Sequence, residues 1–152
     1  MRDSMTVHVD APPEKVWGLV SDITNTGKLS PETFEAEWLD GASAPAVGVR
    51  FRGHVRRNGR GPVYWTKCEI VACDPGQEFA FVVGTKDRHA NTWRYHFEPA
   101  DGGTSVTESY ELADNAVLRL YWKIMGSRRG RTNADGMRQT LERVKALAEG
   151  PA

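Results

Sequence analysis

Residues 5–10, Met5-Thr6-Val7-His8-Val9-Asp10, alternate apolar and polar side chains, the pattern of a strand with one buried face. Pro12 and Pro13 end that strand and suit the first turn of a helix, where a missing N–H removes no hydrogen bond. Glu14 complements the positive helix start, and Val16, Leu19, Val20 and Ile23 form its apolar stripe. Residues 24–30 predict a second short helix or turn. The period then changes from helical to two. Segments 33–40, 48–57, 62–74, 77–86, 90–99 and 103–113 read as strands. Asn58-Gly59-Arg60-Gly61, Asp74-Pro75-Gly76 and Asp101-Gly102-Gly103 supply turn chemistry between them. Separators this short make consecutive hairpins, hence an antiparallel meander rather than a crossover sheet.

The last third is helical again. Leu118, Tyr121, Trp122 and Met125 form a stripe over 115–125, and Gly126 and Gly130 are expected to interrupt it. Ala134, Met137, Leu141, Val144 and Ala148 then resume helical spacing to near Gly150. The predicted fold class is α+β, a helix-grip arrangement in one domain over 1–152. A curved antiparallel sheet of six to seven strands wraps a long C-terminal helix, with two short helices after the first strand. An open sheet must cover its concave face, and the final helix is the only long element available to do so.

Parity assigns the side chains that look into the concavity. Phe51, Gly53 and Val55 share a face of one strand; Phe79, Phe81 and Val83 of another; Trp93, Tyr95 and Phe97 of a third. Their alternates Arg50, Arg52, His54, Arg56, Arg94 and His96 belong to solvent. Tyr64, Thr66, Cys68 and Ile70 face inward, because Lys67 and Glu69 should face out; Trp65 and Val71 are then outside. On the last strand Val106, Tyr110 and Leu112 share a face, and Glu108 falls among them. A carboxylate on an apolar face is costly to ionise unless it is paired or wet. Glu108 is therefore either a ligand-facing acid, base or hydrogen-bonding group, or a structural partner for an arginine or a buried water. Bulky rings in the wedge between a bent sheet and one helix either fill a core or line an apolar pocket.

Composition narrows the functional classes. At 152 residues, with 39% hydrophobic and 26% charged residues, the chain is an ordinary globular one. Its formal net charge of zero supplies no overall field toward nucleic acid or an anionic membrane. The N-terminal residues carry no apolar signal segment, and no apolar run approaches a membrane span, so the expected location is cytoplasmic. Cys68 and Cys73 are expected on one strand about 16 Å apart, too far for a disulfide. His8, His54, His89 and His96 show no metal-ligand spacing, and no phosphate-binding glycine loop or nucleophile motif occurs; neither metal nor cofactor is implied. Arg128, Arg129 and Arg131 form a solvated charge run or a gate for an anionic ligand head, too short for a nucleic-acid footprint.

The chain also resembles a known family. Val9-Asp10-Ala11-Pro12-Pro13-Glu14-Lys15-Val16-Trp17, Ser30-Pro31-Glu32, Glu37-Trp38-Leu39-Asp40-Gly41 and Gly48-Val49-Arg50-Phe51-Arg52-Gly53 carry the resemblance. Trp65-Thr66, Asp74-Pro75-Gly76, Trp93-Arg94-Tyr95, Phe97-Glu98-Pro99 and Gly102-Gly103-Thr104-Ser105-Val106-Thr107-Glu108-Ser109 extend it, as does Asn133-Ala134-Asp135-Gly136-Met137 through Leu141-Glu142-Arg143-Val144-Lys145. These segments are similar to the START-like (SRPBCC, Bet v 1-like) superfamily, in its actinobacterial polyketide cyclase/dehydrase and lipid transport branch. That resemblance implies a ligand between sheet and C-terminal helix.

The expected function is binding, as carrier or sensor, of a small hydrophobic or amphipathic metabolite such as a lipid, polyketide or quinone. The ligand-binding candidates are Trp38, Phe51, Thr66, Cys68, Phe81, Trp93, Tyr95, Glu108, Tyr110, Trp122 and Met125. The alternative is a cyclase or dehydratase acting on a β-carbonyl chain, in which Glu108 removes an α-proton and Tyr110 supports the enolate. Residues 115–125 would act as a lid moving at Gly126, and 115–131 would make transient membrane contact if its stripe lay on a bilayer. A monomer or a homodimer is compatible with these features.

Overall fold

The computed structural model describes residues 2–56, 62–113 and 116–150; within 116–132, it describes only the side chains of Leu120, Lys123 and Ile124. Strand β1 (Arg2–Val9) leads into α1 (Pro13–Ser21), a 3₁₀ turn (Ile23–Asn25) and α2 (Thr26–Leu29). Strands β2 (Thr33–Trp38), β3 (Arg50–Val55), β4 (Tyr64–Asp74), β5 (Glu78–Thr85), β6 (Arg88–Ala100) and β7 (Gly103–Leu112) follow, then helix α3 (Ala116–Glu149). The strands form one antiparallel sheet in the order β1-β7-β6-β5-β4-β3-β2. The α+β helix-grip arrangement read from the sequence is the arrangement observed.

Local chemistry accounts for the elements. Pro12 is extended at the N-cap of α1 and Pro13 occupies the first turn, with Glu14 beside it. The Asp22 carboxylate accepts from the Thr24 N–H at 3.1 Å and so starts the next turn. Between β6 and β7, Asp101 (φ 47°) and Gly102 (φ 79°) both take the left-handed conformation that a two-residue hairpin requires. Cys68 and Cys73 are both on β4 and both are free thiols.

Curvature comes from three register shifts. The pairing slips between Thr33 and Glu35, between Ile70 and Ala72, and between Val83 and Gly84. Each extra residue bends its strand, and all three lie among β2–β6. The opposite end of the sheet, β1 and β7, pairs without a break from Arg2↔Glu111 to Val9↔Thr104. Helix α3 packs against that regular end and against α1 and α2. Leu141, Val144 and Ala148, at helical spacing, are buried there with Val9, Val16, Phe97 and Val106. Polar tethers add to this: the Lys145 ammonium donates to the His8 carbonyl of β1 at 3.0 Å, and Arg143 donates to the Leu29 carbonyl of α2. The sheet thus holds α3 at one end and bends away from it elsewhere.

One expectation is corrected. Gly126 and Gly130 do not interrupt the C-terminal helix, which runs unbroken for 34 residues, about 51 Å. An isolated interior glycine costs only about 1 kcal/mol of helix propensity, so no hinge separates a lid segment from the rest. The stripe of Leu118, Tyr121, Trp122 and Met125 and the arginines 128, 129 and 131 lie outside the described side chains. Leu120 and Ile124 are exposed there.

Leu141 is fully buried where helix, α1 and sheet meet. Leu141→Ala is expected to lower the stability to denaturant by about 2–5 kcal/mol, with cooperative unfolding retained.

Candidate functional site

The bend in the sheet leaves a cavity of about 450 Å³ between β2–β7, α1, α2 and the middle of α3, within the size range of small-molecule sites. Its walls follow from strand register. Phe79, Tyr95 and Glu108 pair across β5, β6 and β7 and form one row. The next row is Phe81 and Trp93, and the next Val83, Asn91 and Leu112. Phe51, Val55, Tyr64, Thr66 and Cys68 continue the wall on β3 and β4. On the other side of the Glu108 row, Phe97 and Val106 are packed solid. Glu108 therefore sits on the floor. Asn91 is four residues nearer the β5–β6 hairpin, about 13 Å along the strand.

The helices complete the enclosure. Val20, Ile23 and Leu29 line it from α1 through α2, and Asn133, Gly136, Met137 and Thr140 from α3. These four share one face of α3, at spacings of three, four and seven. The lining is largely aromatic and aliphatic, and Glu32 and Glu108 are the only charged residue types in it among the described residues. No Lys, Arg or His is among them.

Glu108 is 2% exposed. Burial pushes its carboxyl up to about 8, while the Tyr95 hydroxyl, which hydrogen-bonds to it, pulls in the opposite direction. Desolvation wins, so Glu108 is mostly a neutral acid at pH 7. Tyr95 is pushed well above the usual phenol range, first by burial and then by the neighbouring Glu108. Burial likewise pushes the Cys68 thiol up to about 12, so it is an inert, protonated wall residue. Among the described residues, two buried polar atoms have no hydrogen-bond partner: Oε2 of Glu108 and the hydroxyl of Tyr110.

Of the sequence candidates, the cavity brings together Phe51, Thr66, Cys68, Phe81, Trp93, Tyr95 and Glu108. Trp38 and Tyr110 stand outside its lining. Trp38, on the edge strand, packs edge-on against its cross-strand partner Phe51 at 6.4 Å, beside the cavity lining. Tyr110 is 1% exposed, tilted against Trp93 at 5.3 Å, and its hydroxyl faces no polar group. Trp122 and Met125 lie outside the described side chains. Sequence reasoning missed Asn91, Asn133, Met137 and Thr140 as wall residues. Asn91 shares parity with Trp93 and Tyr95, and Asn133 and Thr140 share the helical stripe of Met137; both signals were present in the spacing. Outside the cavity, the convex face stacks His54 on Trp65 at 4.1 Å, with Arg52 over the indole. Among the described residues, no three His, Cys, Asp or Glu side chains gather as metal ligands, and no helix is long and apolar enough to cross a membrane.

A seven-stranded curved sheet gripping one long helix over an apolar cavity defines a START-like, Bet v 1-like domain. Residues 3–149 match the family described as polyketide cyclase / dehydrase and lipid transport, and the chain belongs to that family. Among solved structures, it is similar to the Polyketide_cyc-like protein Cgl2372 of Corynebacterium glutamicum. Identity to that protein is 28% and the TM-score 0.63, over 97% of this chain and 91% of that one. It is also similar to protein Ms6760 of Mycobacterium smegmatis, with 22% identity and a TM-score of 0.66 over 96% and 89% of the two chains. The di-domain ARO/CYC BexL from the BE-7585A biosynthetic pathway aligns at 21% identity and a TM-score of 0.74; all of this chain covers 51% of that one. No curated protein matches.

Two stability predictions follow from the unpartnered groups. Glu108 holds its proton more tightly folded than unfolded. The stability it contributes is complete below pH 4.5 and is lost as pH rises from there to about 8, at up to ~1.4 kcal/mol per pH unit. Denaturant titrations across that window should show the loss in the wild type and a flatter profile in Glu108→Gln. Tyr110→Phe removes a buried hydroxyl with no partner, and should be neutral or stabilising by up to about 1 kcal/mol in the same assay.

Proposed function

We propose that this protein binds a small hydrophobic or amphipathic metabolite, as a carrier or sensor, in the cavity between its sheet and α3. The observation that carries this reading is the 450 Å³ space itself, walled by Phe51, Phe81 and Trp93 and ending at a hydrogen-bonded Tyr95–Glu108 pair. Apolar walls supply affinity by removing ligand surface from water, at about 25 cal/mol per Å². The polar pair orients one end. Trp93 supplies contact area, and its indole reports occupancy.

A second reading is supported by the acid. A carboxyl titrating near 8 suits proton transfer at physiological pH, and the similar BexL is an ARO/CYC from a biosynthetic pathway. In that reading, Glu108 exchanges the α-proton of a β-carbonyl chain and Tyr95 stabilises the enolate. Among the described residues, the donors that line the cavity beside Glu108 are neutral ones.

Native mass spectrometry against lipids, quinones and aromatic polyketides, followed by tryptophan-fluorescence titration, tests the binding reading. At least one saturable one-to-one complex that alters Trp93 emission is expected, with the change reduced in Trp93→Phe. No saturable binder in any of these classes would overturn it. Turnover of a β-carbonyl substrate by wild type that is lost in Glu108→Gln would instead establish the second reading.

A further inference from the structure

The floor of the cavity carries a more specific chemical demand, which rests on the binding reading above. We propose that the occupant presents a neutral hydrogen-bond acceptor, such as a ketone, quinone, ester or amide carbonyl, to the Tyr95–Glu108 pair at the closed end, and that ligands leading with an anionic group are excluded.

Three observations converge on this demand. Glu108 and Tyr95 are cross-strand partners on the innermost lining row, with Phe97 and Val106 closing the space behind them. Tyr95 lies beside the carboxyl and opposes its upward shift, while Oε2 has no hydrogen-bond partner among the described residues. A protonated carboxyl in that position has one O–H with no acceptor, and a buried donor left unmade costs about 1–3 kcal/mol. A carbonyl oxygen delivered by the ligand removes that cost. A hydrocarbon does not. Rotation about the terminal bond of Glu108 has broad wells, so either oxygen can carry the donor toward the occupant.

Charge decides against the other head groups. The floor row of Phe79, Tyr95 and Glu108 holds no cation to neutralise a carboxylate or phosphate, and stripping water from an anion there costs several kcal/mol. An ammonium would require Glu108 to ionise and would itself lose its water on an apolar floor, a penalty of several kcal/mol per ion. Among the described residues, no other anionic group lies on the floor row to offset that loss. Of the other titratable lining groups, Glu32, Tyr64, Cys68 and Tyr95, the last two are held protonated by burial. Met5 on β1 and Met137 and Thr140 on α3 add no charge to the enclosure. The depth of about 13 Å between the Asn91 and Tyr95 positions suits a two-ring or longer apolar body behind the carbonyl.

Four probes on one skeleton separate these demands: 2-acetylnaphthalene, 2-ethylnaphthalene, 2-naphthoate and 1-(2-naphthyl)ethylamine, each titrated calorimetrically at pH 6.5. The ketone should bind about tenfold more tightly than the hydrocarbon, a gain of roughly 1.4 kcal/mol, and at least about tenfold more tightly than either ion. At pH 9.5 the ketone's advantage should shrink, because ionised Glu108 no longer donates. Glu108→Leu should erase the advantage while hydrocarbon binding persists. Glu108→Gln, which keeps an N–H donor, should retain a ketone preference that no longer changes between the two pH values, so the proposal stays testable if the leucine variant fails to fold. Equal affinity for ketone and hydrocarbon overturns this inference and leaves the binding reading standing. Tighter binding of the naphthoate or the amine also overturns it. Failure of all four probes overturns it together with the apolar-cavity reading.

Discussion

The seating of Leu141, Val144 and Ala148 against β1, β7 and α1 is the contact on which the rest of the molecule depends. It anchors a 34-residue helix to a part of the sheet that pairs without irregularity. The three register shifts elsewhere turn the remaining strands away from that helix. A rigid helix and a bent sheet held together at one end cannot meet everywhere. The space left over is bounded by side chains too few to fill it, and close packing, the rule for protein interiors, gives way there to a cavity.

That geometry explains the unusual state of Glu108. Its strand position is ordinary, but the row it occupies lies where packing stops, so it is shut off from bulk water and, among the described residues, no cation lines the space to stabilise charge. Desolvation outweighs the hydrogen bond from Tyr95, and the acid stays neutral. Two residues along the same face, Tyr110 lies in a packed region and contributes volume rather than a cavity wall. One strand face thus holds, among the described residues, two unpartnered polar atoms with different surroundings, and only Oε2 of Glu108 belongs to a residue that lines the cavity. The family's shared architecture fixes the cavity's place; the chemistry of its floor belongs to these particular side chains.

Much of this was legible along the chain. Period-two alternation put Phe51, Phe81, Trp93, Tyr95 and Glu108 on the concave face, because strand geometry alternates faces whatever the tertiary context. The turn at Asp101-Gly102 and the proline start at Pro13 likewise declared themselves locally. Trp38 and Tyr110 share the parity of cavity residues yet lie outside the lining, since parity names a face and not what covers it. The continuity of α3 through Gly126 and Gly130 was not legible either, because a glycine's propensity cost is small beside the stability of a long helix.

The sequence by itself determined the element types, the strand order implied by short hairpins, the faces of most strands and the presence of an acid among apolar residues. Only the tertiary structure decided how far sheet and helix diverge, which rows line the resulting space, and that Asn133 and Thr140 share its walls with Tyr95 and Glu108. The division has a physical cause. Periodicity and turn chemistry act over a few bonds, whereas a void is a difference between two curvatures set by elements far apart in the chain.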